Sequence, residues 1–330
     1  MRFARPLLRL PIRFSAEALE REVRSLPKSA WVAHPNAFPG NDAVRLITTG
    51  GEATDALDGS MGPTEHLRAC PYILEILAEL GATWGRSRLM GLAPGAEVPA
   101  HADSHYYWRT HIRIHVPVIT NPGVEFTCGG EAVHMAAGEC WVFDSFQRHE
   151  VHNRGNAHRV HLVIDTVGGQ GLWELIEVAQ SESPPEPRLF NTGDGADAPV
   201  LFVQVNLPTE MSPWVLRCHI AFLGSEAPQH PRLDAVLKRL NRLAFEWGAV
   251  WAAYADTDAG VPTFRQLLQE LGEDLGEMQG QEILMSNGLP LYHVLAKLVF
   301  EVAIAQPSEA PAQRAPQQVG GLARAARLVS

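Results

Sequence analysis

The segment HADSHYYWRTHIRIHVPVIT, residues 101–120, decides the fold. In its second half His111, Arg113 and His115 alternate with Ile112, Ile114 and Val116. Successive side chains of a strand point to opposite faces, so one face here is greasy and packs. The other face is cationic and must line something wet or anionic. Working outward, residues 84–170 carry short apolar runs separated by turn signals: APG at 93–95, NPG at 121–123, CGG at 128–130, AAG at 136–138 and NRGN at 153–156. That rhythm predicts a β-sandwich or small barrel.

The flanks read differently. MRFARPLLRLPIRF at the start is interrupted by Pro6 and Pro11 and reads as a leading strand rather than a signal peptide. Ser15 is a good N-cap for a helix carrying Leu19, Val23 and Leu26. Residues 35–51 (PNAFPGNDAVRLITTGG) form a loop, a strand and a Gly-Gly turn, and a second helix runs from Pro71 to its stop at Gly81. The Pro-, Gly- and acid-rich stretch at 181–195 predicts a boundary. Beyond it Leu233, Val236, Leu237, Leu240 and Ala244 repeat at helical spacing, Thr263 and Gln266 suggest a capping box, and a further helix follows Pro290. Trp214, Trp247 and Trp251 fit a helical core. The expected organisation is an α+β chain: a barrel domain with an N-terminal extension over 1–180, a mostly helical domain over 181–305, and a disordered tail over 306–330.

Composition sets limits on this reading. With 330 residues, 46% hydrophobic and 19% charged, the chain can bury a full core. The net charge of -10 and the lack of a Lys/Arg stretch with interleaved aromatics argue against a nucleic-acid partner. No run of about 18 apolar residues exists to span a membrane. Cys70, Cys128, Cys140 and Cys218 are widely spaced and form no CxxC pair, as expected of reduced thiols in a cytoplasmic protein.

Nine of the 14 histidines fall between residues 101 and 161. The strongest pattern is His101-Ala102-Asp103 followed by His149. Positions i and i+2 of a strand share a side, so His101 and Asp103 can grip one metal while a histidine on a neighbouring strand closes the triangle. Two histidines and a carboxylate on one face leave the opposite positions open, the arrangement of non-haem Fe(II) oxygen chemistry. HxD alone is a weak motif, and solvated or core histidines on a sandwich are the bland alternative; the histidine density and the β context favour a metal. His152, His158 and His161 compete with His149 as distal ligand, although His152 falls on the opposite strand face. Arg159 shares a face with His161 and Val163, and a fixed guanidinium near a ferrous site is what a dicarboxylate cosubstrate needs. His115 is a candidate second donor. His105, Tyr106, Tyr107 and Trp108 form either a substrate wall or a packed aromatic lid. The 38–50 loop is expected to approach the substrate, and His134 is expected at the surface.

Three stretches in order, HADSHYYWRTHIRIHVPVITNPGVEF, AAGECWVFDSFQRHEVHN and RVHLVIDTVG, resemble bacterial members of the aspartyl/asparaginyl β-hydroxylase family over about residues 85–168. A looser likeness extends upstream through Trp31 and CPYILEIL. The resemblance implies a double-stranded β-helix, a jelly-roll or cupin-like barrel, and an Fe(II)- and 2-oxoglutarate-dependent dioxygenase that consumes O2 and hydroxylates an amino acid or peptidyl substrate. It implies that His101 and His149 are metal ligands, that Arg159 pairs with the far carboxylate of 2-oxoglutarate, that His115 also contacts this cosubstrate, and that Arg113 contacts a substrate carboxylate. Two departures stand out. Animal members lack the acidic ligand that Asp103 supplies here, and Met90 stands where they have a serine that helps hold 2-oxoglutarate. Substrates of the bacterial relatives vary from free amino acids to peptide-bound residues and lipid, so the family does not fix the substrate. Two other readings compete: a cupin-type metalloenzyme without 2-oxoglutarate, which would not need Arg159, and a catalytically silent binding barrel with a helical interaction domain. For the C-terminal region, a cap on the barrel, a homodimer contact and a carrier-protein contact all remain open.

Overall fold

The computed structural model describes residues 3–34, 38–191, 199–204, 211–255 and 257–304, and the expected tail at 306–330 lies outside them. The strands that matter for the site are β1 (Leu7–Arg13), β2 (Asn41–Thr49), β3 (Thr83–Leu92), β4 (Glu97–His101), β5 (Ile112–Ile119), β6 (Val124–Cys128), β7 (Glu139–Phe143), β8 (His149–Asn153) and β9 (Arg159–Gly168). The helices are α1 (Ala16–Ser25), α2 (Pro71–Leu80), α3 (Gln170–Ala179), α4 (Pro213–Glu226), α5 (Leu233–Tyr254), α6 (Val261–Glu277) and α7 (Leu291–Leu295).

A large sheet runs in the order β1-β7-β5-β9-β3-β2, extended by short edge strands, and a small sheet runs β4-β8-β6 with Glu131–Val133 at its edge. Sequence neighbours alternate between the two sheets from β3 to β9, which makes the barrel a double-stranded β-helix. The period-two pattern of β5 holds: Ile112, Ile114 and Val116 are buried in the core between the large sheet and helices α1 to α3. Strand β9 lies between β3 and β5 and is buried almost throughout. Its Val160, Leu162 and Ile164 join the helix-side core, which turns Arg159, His161, Val163 and Asp165 toward the barrel interior. A smaller apolar cluster, including Leu92, Phe126, Phe143 and Val151, fills the space between the sheets.

Local signals explain the helix ends. The Ser15 side chain accepts from the Ala18 N–H at 3.2 Å and caps α1. Pro71 opens α2, and Gly81 closes it in the left-handed conformation at φ 58°, a geometry that glycine adopts without a Cβ penalty. The expected capping box at Thr263 and Gln266 is not formed. A 3-10 turn at Asp258–Gly260 feeds directly into α6, so the helix starts at Val261 and Thr263 lies inside its first turn. Pro262 sits in that same turn, where its missing N–H costs nothing.

Helices α4 to α7 build a core of their own around Trp247, which is fully buried and donates from Nε1 to the Met211 carbonyl. Trp251 packs partly against this core. Trp214 departs from the expectation, standing 74% exposed on α4. The helical core is not confined to the C-terminal segment, because Tyr106, Tyr107 and Phe146 of the barrel belong to it. All four cysteines are unpaired thiols, with Cys218 exposed. Among the described residues no helix is long and apolar enough to cross a membrane.

Ile114 sits in the middle of the sheet–helix core with no exposed surface. Ile114→Ala should therefore lower stability by about 2–5 kcal/mol, read as a lower urea midpoint with an unchanged slope.

Candidate metal centre and anion pocket

A cavity of about 260 Å³ opens between the two sheets. His101, Asp103 and His149 lie along it, and one ligand atom from each falls within 4.8 Å of the others. The two histidines are direct cross-strand partners on β4 and β8, with ring centroids 4.2 Å apart. Their pairing depends on an irregularity. Val151 faces Val98, yet His149 faces His101, so β4 carries one extra residue in this interval. Such a bulge shifts the alternation by one. Val98 already lines the cavity, and without the bulge His101 would point away from it. Pro99, which has no N–H to give a ladder, lies in the bulged interval.

Asp103 corrects the simple strand argument. Strand β4 ends at His101, so Asp103 is not on a strand. Its backbone N–H donates to the Ser145 carbonyl at 2.9 Å, which brings the carboxylate round to the histidines. The imidazoles are oriented by carbonyls, Pro99 O at 2.8 Å from His101 Nδ1 and Gln147 O at 2.9 Å from His149 Nδ1. Each Nδ1 therefore carries the proton, and each Nε2 keeps a lone pair for a cation. His149 Nε2 is buried without a hydrogen-bond partner. Burial pushes the His149 imidazolium down to about 4, partly opposed by the Asp103 carboxylate, so the ring is neutral at physiological pH. Two lone pairs, one carboxylate and an orphaned buried Nε2 fit a divalent transition metal.

Deeper in the same cavity, Arg159 is 4% exposed and its Nε and Nη2 have no hydrogen-bond partner. Burial pushes it down to about 9, and among the described residues no carboxylate forms an ion pair with it. An unpaired buried guanidinium is costly unless an anion joins it. His115 lies on the neighbouring strand with an unpartnered Nδ1, and His161 is buried with neither ring nitrogen partnered. Burial, reinforced by the Arg159 charge, holds both imidazoles well below their ordinary value.

The other expected site residues separate. Arg113 lines the cavity, donating from Nε to Asp165 at 2.9 Å and from Nη1 to Asp103 at 3.4 Å. Burial opposes its charge, but the Asp165 and Asp103 carboxylates overcome this and hold the guanidinium above its ordinary value. Trp108 lines the cavity and lies under Arg113, 4.1 Å from ring centroid to guanidinium carbon. His105 does not line it: its ring packs edge-on against Tyr106 and its Nδ1 accepts from the Tyr107 N–H. The helical turn at Tyr107–Thr110 breaks the strand period, which is why two neighbours in sequence part company. His152 faces Glu97 and Glu150 instead of the cavity, His158 pairs with Asp42, and His134 is exposed. Residues 41–49 are strand rather than loop, and Asn41 reaches the cavity from it, with His34 and Phe38 before it.

Sequence reasoning passed over Asp55, Arg86, Arg88 and Asp165. Asp55 binds Arg45 and Arg88, each at 2.6 Å, and forms a braced wall on one side of the cavity. Asp165 shares the strand face of Arg159, so alternation along β9 was a signal that pointed to it.

Fold and site together define a double-stranded β-helix with a two-histidine, one-carboxylate centre beside an anion pocket. The family model described as Aspartyl/Asparaginyl beta-hydroxylase matches residues 56–168 of the chain. Among solved structures the chain is similar to an oxidoreductase of the 2OG-Fe(II) oxygenase family from Burkholderia pseudomallei, at 15% identity over 47% of this chain and 79% of that one, with a TM-score of 0.35. A prolyl-4-hydroxylase from Pseudomonas putida aligns at 14% identity over 49% and 92%, with a TM-score of 0.34. A sugar phosphate isomerase from a cupin superfamily of Silicibacter pomeroyi aligns at 17% over 44% and 73%, with a TM-score of 0.26. No curated protein matches the chain.

The neutral interior has a consequence for stability. His34 and His149 are both pushed down to about 4, chiefly by burial, and His115 and His161 lie lower than the ordinary value too. An unfolded imidazole takes up its proton near pH 6.5, whereas these stay neutral, so between about 6.5 and 4 the unfolded chain binds more protons. Stability of the metal-free protein should be full above about pH 6.5 and fall steadily toward pH 4. Thermal melts across that range check this, and a flat Tm would mean that the folded chain already carries these charges.

Proposed function

We propose that the chain is an Fe(II)- and 2-oxoglutarate-dependent hydroxylase acting on an amino acid or a peptidyl amino-acid substrate. The observation that carries this reading is the unpaired, buried Arg159 guanidinium in the cavity that also holds His101, Asp103 and His149. A metal site alone would not need it. A cosubstrate with a chelating keto acid at one end and a carboxylate at the other accounts for both features.

His101 Nε2, His149 Nε2 and an Asp103 oxygen would hold the iron. Bound there with 2-oxoglutarate and O2, the iron supplies the oxidising power that puts one oxygen into a C–H bond, with succinate and CO2 as co-products. The chain's own residues position and exclude. Arg159 offers two parallel N–H groups to the distal carboxylate, and charge-assisted pairing of this kind is strong in a dry site. His115, neutral by burial, donates or accepts at Nδ1 beside it. Met90 lines the cavity as an apolar wall, and Phe126 and Phe143 keep water from the interior. Arg113 commits two of its five N–H groups to Asp165 and Asp103, which orients the carboxylate ligand and leaves donors for a substrate carboxylate. Trp108 beneath it restricts that guanidinium to one plane. We read 1–180 as the catalytic unit and 181–305 as a second, helical unit.

Purified protein with Fe(II) and 2-oxoglutarate should release succinate in a substrate-dependent way, and a mass-spectrometric screen of amino acids and peptides should find a product heavier by one oxygen. No iron uptake and no succinate with any substrate would sink the hydroxylase reading.

Arg159→Ala should weaken 2-oxoglutarate binding by about ten- to a hundredfold while leaving metal affinity in place. His149→Ala should lose the metal itself. A cupin-type enzyme without cosubstrate would instead tolerate the change at Arg159.

A further inference from the structure

We propose that Asn287, far along the chain in the helical segment, is a positioning residue for the metal-ligand set. The inference rests on the reading of His101, Asp103 and His149 as that set.

One tight turn, residues 144–147 between β7 and β8, touches two of the three ligands through its backbone. The Ser145 carbonyl accepts the Asp103 N–H at 2.9 Å, and the Gln147 carbonyl accepts His149 Nδ1 at 2.9 Å. The turn is closed internally by Phe146 N–H to Asp144 Oδ1 at 3.2 Å and Gln147 N–H to the Asp144 carbonyl at 3.0 Å. The carbonyl between these two contacts, that of Phe146, accepts Asn287 Nδ2 at 2.8 Å. A rotation of the Phe146 peptide would therefore move both ligand contacts at once, and Asn287 is placed to resist it.

Asn287 is itself held. It is 4% exposed, and its Oδ1 accepts the Leu289 N–H at 3.0 Å. Its turn is closed by Met285 N–H to the Leu289 carbonyl at 2.8 Å. Ser286 ties the turn to the end of α4 through its Oγ to Glu226 Oε2 and its N–H to the Glu226 carbonyl, both at 2.7 Å. The Phe146 ring packs edge-on against Phe222 of the same helix at 4.9 Å. A polar side chain with both ends satisfied, buried between an apolar helical core and a ligand-bearing turn, resembles the outer hydrogen bonds that orient metal ligands. It also gives the helical segment a task in the barrel's chemistry.

The test compares two variants. Asn287→Asp keeps the shape and the acceptor to Leu289 but removes both donors. Leu271→Ala deletes a fully buried side chain on α6, outside the Met285–Leu289 turn. Co(II) and Mn(II) affinities are titrated anaerobically at 10 °C, alongside Tm and the Co(II) ligand-field spectrum. Asn287→Asp should weaken metal affinity by about tenfold and alter the Co(II) spectrum, whereas Leu271→Ala should lower Tm and keep affinity within about twofold. If Asn287→Asp does not fold, Asn287→Ala gives the same reading without a misplaced carboxylate. Unchanged affinity in the Asn287 variant, or equal losses in both variants, would overturn the positioning role while the metal site stands. Absence of metal binding by the unmodified chain would instead remove the metal-site reading, and this role with it.

Discussion

The pairing of His149 on β8 with His101 on β4 is the contact on which the rest of the site depends. Two rings meet across a ladder only if the register is fixed, and a slip of one residue sends a strand's inward side chains out. The register is pinned at the far end of the hairpin. Gly95 N–H reaches the Asn153 carbonyl and Asn153 N–H reaches that of Ala96, while the buried Asn153 amide donates to the carbonyls of Leu92 and Ala157. From that fixed end the bulge near Pro99 delivers His101 to the interior. Asp103, Arg113 and Asp165 then follow as a chain of alternating charge, with Arg113 bonded to both carboxylates at once.

The cavity has two electrostatic regions with opposite logic. Around the triad, one carboxylate and two imidazoles converge on a single point and suit a metal. Around Arg159, neutral imidazoles lie beside a buried cation with which no carboxylate among the described residues pairs. A ligand that is chelating at one end and anionic at the other is oriented by this gradient before any shape recognition acts. The wall formed by His34, Phe38, Asn41 and Asp55 lies outside residues 56–168, so one side of the cavity is built by chain beyond the matched segment.

Much of this was legible in the sequence, and the parts that were not share a physical cause. Alternation along 111–116 and 159–165 placed Arg113, His115 and Arg159 on interior faces because those strands are regular and one face is greasy. His101 and Asp103 came out together for an incomplete reason: the strand ends at His101, and a bulge rather than plain parity turns that ring inward. Bulges leave little trace in hydrophobic periodicity. His105 and Trp108 could not be sorted because the chain changes from extended to helical between them. Trp214 looked like core because an indole is greasy, yet helix α4 turns that position to solvent. Asn287 was out of reach altogether, since a single asparagine in a turn signals nothing until its partner, 141 residues away, is known.

The bulge in β4 separates two arrangements of one sequence. With it, the barrel presents two imidazoles to one point in its interior. Paired with β8 in continuous register, β4 would keep Val98 in the apolar lining and turn His101, three residues on, to solvent. In this fold, the difference between a converged ligand set and an inert container lies in strand register and not in ligand chemistry. A shift of one residue in pairing, with every histidine and carboxylate still in the chain, is enough to make it.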